Sequence, residues 1–345
     1  MAPAKAVEQH RTGRSNGRIV KIIVTGAAGF IGSVVTEVLC DRGYEVVAWD
    51  NLVNGHIVAV DGRAKFERID LCDGPGVHAG MTACRPDVVV HLAGEALIDA
   101  SMRDPGRFYQ ANVVGGINLL DAMVAAGVGK LVFSSTAAVY GEPEKTPIFE
   151  DAAGNPCNSY GESKWAFERA LRWYESAHGL RHISFRYFNA CGATALHGED
   201  HRPETHIIPL LFAAVKRQRG IFQLFGTDYA TPDGTCIRDY IHVADIAEAH
   251  RVALEGIEAI PSGSFNLGLG RGYSNREVIA AVEKVTGLSV PVADAPRRPG
   301  DPAVLIADAA QANQLLHWTP HYTDLETMIA TAWAWQQHHP RGYDS

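Results

Sequence analysis

The sequence contains no C-x-x-C pair and no apolar stretch approaching the roughly 20 residues that a membrane-spanning helix requires. Its six cysteines, at 40, 72, 84, 157, 191 and 236, show neither a disulfide framework nor metal-ligand spacing. They read as scattered thiols of a reducing, cytoplasmic compartment, and no metal is expected. Positive charge is scarce too: 31 Lys and Arg stand against 39 Asp and Glu, a formal charge of −8. That balance argues against nucleic acid or an anionic membrane as partner, since either needs clustered cations, and favours a small molecule. The first 18 residues lack the apolar core of a signal peptide and read as a disordered tail outside the fold.

The remaining chain is rich in core material, with 46% apolar residues. From residue 19, short β-branched runs alternate with longer helical stretches: strands near 19–26, 44–50, 87–93, 130–135 and 182–188, helices near 30–42, 106–126 and 160–178. This rhythm predicts an α/β fold, a doubly wound (Rossmann-type) parallel sheet. The dinucleotide-binding domain spans 19–188. After residue 188 the rhythm loosens, and 189–345 reads mainly as a smaller mixed α/β substrate lobe with helices near 207–218, 243–256, 275–286 and 323–338. Segments near 238–268 return to the first domain.

The stretch VTGAAGFIGS places Gly26, Gly29 and Gly32 between the first strand and the first helix. Glycines there permit a tight turn and close approach of a pyrophosphate to a helix N-terminus. Asp50 follows 18 residues after Gly32, at the end of the second strand. Its carboxylate suits the hydroxyls of an adenosine ribose and repels a 2′-phosphate, which makes NAD the expected cofactor. Asp70 ends the next strand and either faces the adenine or serves as a turn or cap residue.

A dinucleotide that exchanges hydride needs a proton partner beside it. Tyr160 and Lys164 lie four apart at the start of a helix and project from one face. The ammonium is expected to favour the phenolate of Tyr160, and Thr136, ending the fourth strand in FSSTAAVYG, to hold a reacting hydroxyl. Catalytic roles therefore fall to Thr136, Tyr160 and Lys164.

These features, together with DNLVNG (50–55), HLAG (91–94), YGESK (160–164), RYFNACGA (186–193), ETHIIP (204–209), FGTDYATPDGTCIRDYIHVAD (225–245), PRRPGD (296–301) and HPRGY (339–343), resemble the UDP-glucose (UDP-galactose) 4-epimerases of the extended short-chain dehydrogenase/reductase family. The resemblance runs from about residue 20 to the end. It implies a cytoplasmic, homodimeric isomerase whose NAD takes hydride from C4 of a UDP-sugar and returns it to the opposite face of a 4-keto intermediate. It also implies that Phe30, Ile31, Asn51, Leu52, Asn54, Gly55, Leu71, Leu92, Ala93, Gly94 and Phe188 complete the NAD site. Asn189 and Arg238 would face the substrate phosphates, Arg298 and Asp301 the pyrophosphate and uridine ribose, and Ile207, Gln223 and Phe225 the nucleotide base, with His206 also among the substrate-binding residues. Two of these have structural alternatives: Arg238 could pair with Asp239 or Asp245, and Phe188 could be ordinary core.

Two departures from the family pattern stand out. HLAGEALI places Ala96 where relatives carry a lysine, which removes a positive charge near the nicotinamide. Leu305 stands where a bulky tyrosine or a small residue sets the room for an N-acetyl group, so the choice of sugar stays open between hexose, N-acetylhexosamine, pentose and uronate. A dehydratase would need acid and base groups directly after Thr136; Ala137 and Ala138 cannot supply them. A non-catalytic NAD-binding protein would be expected to lack Thr136, Tyr160 or Lys164, and all three are present.

Overall fold

A computed structural model of the chain describes residues 13–15, 18–218, 220–298 and 300–344. Seven parallel strands form the main sheet: β1 (Lys21–Thr25), β2 (Glu45–Asp50), β3 (Lys65–Arg68), β4 (Val88–His91), β5 (Lys130–Thr136), β6 (Arg181–Tyr187) and, much later in the chain, Gly263–Leu267. Their spatial order is β3-β2-β1-β4-β5-β6 with Gly263–Leu267 outermost, the doubly wound arrangement the alternating pattern predicts. Its inner strands are buried on both faces, so they read as largely continuous apolar runs, whereas the edge strand β3 is partly exposed. Ile22, Val24, Val88, Val90 and Val132 face one core, with helix α1 (Phe30–Asp41) and the helix Val243–Gly256. Ile23, Val47, Val89, Leu131 and Phe133 face the other.

The helix expected over 106–126 is broken: Pro105–Tyr109 and Gly115–Ala126 flank a π-helical turn, Gln110–Val114. The turn re-aims Asn112, whose Nδ2 donates to the Glu95 carbonyl (3.0 Å) and to Ser163 Oγ (2.9 Å). Such turns commonly mark functional sites. Helix α2 (Ser159–His178) begins where Asn158 Oδ1 accepts from the Gly161 amide at 2.8 Å and stops at Gly179, φ 69°. A β-carbon on Gly161 would stand 2.4 Å from the Ala138 carbonyl oxygen, so glycine there lets α2 press against the turn after β5. Phe167 and Leu171 lock the helix down; each is fully buried, and such burial contributes about 1.5–3 kcal/mol per side chain.

The smaller lobe is built on a strand, Ile237–His242, that pairs in parallel with Asn189–Cys191 and Val304–Leu305 and antiparallel with Gly272–Ser274. A separate parallel pair joins Phe222–Phe225 to Val292–Ala295. The expected tail over residues 1–18 lies partly outside the described residues, and its described part is not detached. The Gly13 amide donates to the Arg42 carbonyl (2.8 Å), and Arg14–Ser15 pairs with Arg18–Ile19. Gly13 is buried against Gly43 and Tyr44, a fit that leaves no room for a side chain. Among the described residues no helix is long and apolar enough to cross a membrane.

Candidate active site

The carboxyl ends of β1, β2, β4, β5 and β6 open into a cleft of about 1180 Å³ whose opposite wall is the smaller lobe. Gly26, at φ 71°, turns the chain from β1 toward α1, and the helix starts at Gly29 with no side chain capping its N-terminus. A β-carbon on Gly32 would lie 1.9 Å from the Gly26 carbonyl oxygen. The loop therefore forms a bare backbone cradle, suited to a diphosphate. At its edge Asp50 Oδ2 accepts from the Ala28 amide (3.0 Å) and Oδ1 from the Leu52 amide (2.7 Å). Burial raises the Asp50 pKa and those amides oppose the rise. The donor set fits a dinucleotide: bare amides at the helix start and an oriented carboxylate one strand away.

Each residue expected to hold cofactor or substrate lines this cleft, with one exception. Leu52, which has a left-handed backbone (φ 60°), is not among the lining residues, whereas Asn51, Asn54 and Gly55 are. Asp70 lines the cleft and also closes a turn, accepting from the Cys72 amide at 2.9 Å. Phe188 serves both of its readings, lining the cleft while packing with Val139, Tyr140 and Ile148.

On the floor, Thr136 and Tyr160 line the same stretch of the cleft, and Thr136 Oγ1 accepts from the Ala138 amide at 3.1 Å. Burial raises the Tyr160 pKa, and the neighbouring Thr136 works against the rise. The Lys164 Nζ donates to the Ser134 carbonyl at 2.9 Å. Burial in turn holds Lys164 down to about 8. One turn further on, Glu168 accepts from Ser135 Oγ, from Arg186 Nε (3.1 Å) and Nη2 (2.7 Å), and from Ser264 Oγ (3.0 Å). This buried network, with its Arg186 pair, ties α2 to β5, β6 and the outermost strand.

Arg107 does not restore the positive charge expected to be missing at Ala96: it lines the cleft but donates through Nε to Glu95 Oε1 (2.8 Å), which neutralises it, while Asn54 Nδ2 reaches the other Glu95 oxygen at 3.5 Å. Sequence alone does not find this pair, because the two residues lie on either side of an irregular stretch and a short helix, Ile98–Arg103.

In the opposite wall Arg238 pairs with Asp301, not with Asp239 or Asp245. Those two acids are taken by backbone amides: Asp239 by Leu269, Gly270 and Ala307, and Asp245 by His321 and Tyr322. The Arg298 guanidinium lies over the Phe225 ring, 4.2 Å from its centroid. Burial works against charge on His206, but the Glu199 and Glu204 carboxylates beside it push its pKa well above the usual imidazole value. His206 leads into the helix Ile207–Val215, whose first residue faces the cleft. Tyr343, whose hydroxyl donates to the Gly198 carbonyl (3.3 Å), also reaches the cleft wall; the HPRGY stretch gives no hint of that placement.

Residues 22–268 match the family described as "Epimerase: NAD dependent epimerase/dehydratase family". The UDP-glucose 4-epimerase of Lacticaseibacillus casei is 44% identical over 325 residues, covering 93% of this chain and 98% of that protein. A crystal structure of a UDP-glucose 4-epimerase superposes with a TM-score of 0.91 at 45% identity, covering 94% of this chain and all of the other. The enzyme of that name from Brucella ovis, solved in complex with NAD, gives a TM-score of 0.88 at 43% identity over 92% of this chain and 98% of the other.

Proposed function

The chain belongs to the NAD dependent epimerase/dehydratase family, and from that premise we propose that it is an NAD-dependent isomerase that interconverts UDP-galactose and UDP-glucose through a 4-keto intermediate. When bound in its oxidised form, NAD supplies a hydride acceptor for carbon 4 and a positive ring beside the phenol. Tyr160 takes the proton of the sugar 4-hydroxyl and later returns it. Thr136, beside Tyr160 on the cleft floor, orients the same hydroxyl, and Lys164, fixed by Ser134, holds positive charge one turn away. For both faces of the ring to meet one phenol, the sugar must turn over while the nucleotide stays in place. Binding free energy is then best concentrated on the diphosphate and base. Arg238 and Asn189 suit the diphosphate, Arg298 and Asp301 the pyrophosphate and ribose, and Ile207, Gln223 and Phe225 the base.

The observation that carries this reading is the convergence of Thr136, Tyr160 and Lys164, at the carboxyl end of β5 and the start of α2, on the same cleft as the glycine cradle. The experiment is conversion of UDP-galactose to UDP-glucose by purified protein and by Tyr160→Phe. A wild-type protein that converts neither sugar, or a variant with full activity, defeats the proposal. Parallel turnover of UDP-N-acetylgalactosamine, UDP-xylose and UDP-galacturonate tests whether Leu305 narrows the choice to hexoses. Tyr109, Val114 and Trp173 are exposed apolar residues on the segments 105–126 and α2. They support a homodimer formed there, which light scattering of the wild type and of Trp173→Glu would test.

A further inference from the structure

Between the smaller lobe's first strand and the helix at Ile207, the chain reads Glu199-Asp-His201-Arg-Pro-Glu204-Thr-His206. The E-x-H-x-x-E-x-H spacing folds four side chains onto one point. One ligand atom from each of Glu199, His201, Glu204 and His206 lies within 4.8 Å of all the others. His206 Nδ1 is 2.7 Å from Glu199 Oε1 and 2.9 Å from Glu204 Oε1, and His201 Nδ1 is 3.2 Å from Glu199 Oε1. We propose that these four residues form a binding site for a divalent transition-metal ion of the zinc type.

Three observations carry the assignment. First, two imidazole nitrogens and two carboxylate oxygens are the donor types zinc takes, and ligand bonds of about 2.0–2.2 Å in a tetrahedron give edges of about 3.3–3.6 Å. The spread of 2.7 to 4.8 Å brackets that spacing. Second, hydrogen bonding does not account for the whole cluster. His201 Nδ1 is sealed from solvent and makes no hydrogen bond, although it points at Glu199 within ion-pair reach. Third, two carboxylates converge with two imidazoles in a half-buried place, where a divalent cation would neutralise the carboxylates and displace the proton that His206 otherwise shares with Glu199 and Glu204. Four protein ligands leave no open position, so the ion would be structural. It would cross-link the loop that ends at His206 and so fix the start of the helix on the cleft wall. His201 also stands edge-on to Phe30 of the dinucleotide loop, with ring centroids 6.5 Å apart, so the fixed loop would brace both lobes.

The test uses full-length protein made without a histidine tag, stripped with a chelator and titrated with Co2+. The expected result is one saturable Co2+ per chain with the intense visible absorption of four-coordinate cobalt, abolished by added Zn2+. His201→Gln and Glu199→Gln should each weaken Co2+ binding at least tenfold while circular dichroism shows a folded chain. A melting temperature that rises with added Zn2+ in the wild type, and not in His201→Gln, reads the same site without spectroscopy. Absence of saturable Co2+ binding overturns the proposal, as does binding with unchanged affinity and spectrum in both variants. These readouts do not involve turnover, so they stand apart from the epimerase reading.

Discussion

The two walls of the cleft are built by opposite means. The wall on the large domain consists of strand ends and helix starts: Thr136 closes β5, Tyr160 and Lys164 open α2, and the glycines join β1 to α1. Around the reacting groups its polar side chains are held by the backbone: Lys164 by the Ser134 carbonyl, Thr136 by the Ala138 amide and Asp50 by the Ala28 and Leu52 amides. The facing wall consists of connections and short strands, and charged groups there are paired with each other: Arg238 with Asp301, His206 with Glu199. The difference matches two tasks. Chemistry needs atoms held to fractions of an ångström, which packed elements provide. Recognition of a charged nucleotide needs groups that can exchange an internal partner for a ligand, which loops permit.

Substitutions on the two walls should therefore separate in kind. The largest effect is expected at the cradle: Gly32→Ala places a methyl against the Gly26 carbonyl and should abolish retention of NAD, read as loss of dinucleotide from the purified, still folded protein. Next, Tyr160→Phe should lower kcat by about 10²–10⁴, the usual worth of a positioned acid-base group, with little change in KM. On the facing wall Arg238→Ala should act chiefly on KM. A hydrogen bond to a charged group contributes about 1.5–3 kcal/mol, so a rise of about 10- to 100-fold is expected. A large fall in kcat for that variant with KM unchanged would erase the distinction between the walls.

A subtler probe is pH. The Lys164 ammonium is the form that supplies positive charge, and burial holds its pKa down to about 8 in the protein alone. Charge is complete below that value and lost above it, so kcat should decline as pH rises through this region, and Lys164→Met should be slow and lack that decline. The smallest effect belongs to Phe225→Leu, which removes the ring beneath Arg298. An exposed cation–π contact contributes about 0.5–1 kcal/mol, so KM should rise about two- to fivefold.

The same contrast explains what could be read from sequence. On the large domain the signals are local: a glycine spacing, an acid at a strand end, a tyrosine and lysine one turn apart. Each is fixed by backbone geometry within a few residues, so the sheet and the Thr136, Tyr160 and glycine positions are legible. The positive φ of Leu52, a non-glycine residue, leaves no mark in the sequence pattern. The place of Lys164 on its helix face follows from spacing alone, whereas its bond to the Ser134 carbonyl joins residues far apart in the chain. On the facing wall partners lie far apart in the chain, as Arg238 and Asp301 do, and identity could be carried only by resemblance. Glu95 and Arg107 pair across an irregular stretch and a short helix, a contact that no periodicity announces.

The register of α2 has a practical consequence for anyone rebuilding this site in another scaffold. Read at every fourth residue, the helix presents a reactive group at Tyr160, a charge held by a strand carbonyl at Lys164, and a sheet anchor at Glu168 that engages Ser135, Arg186 and Ser264. Transplanting the first two without the third would carry the tools and leave the bench behind. The smallest portable unit is three successive turns of this helix together with the strand ends they grip.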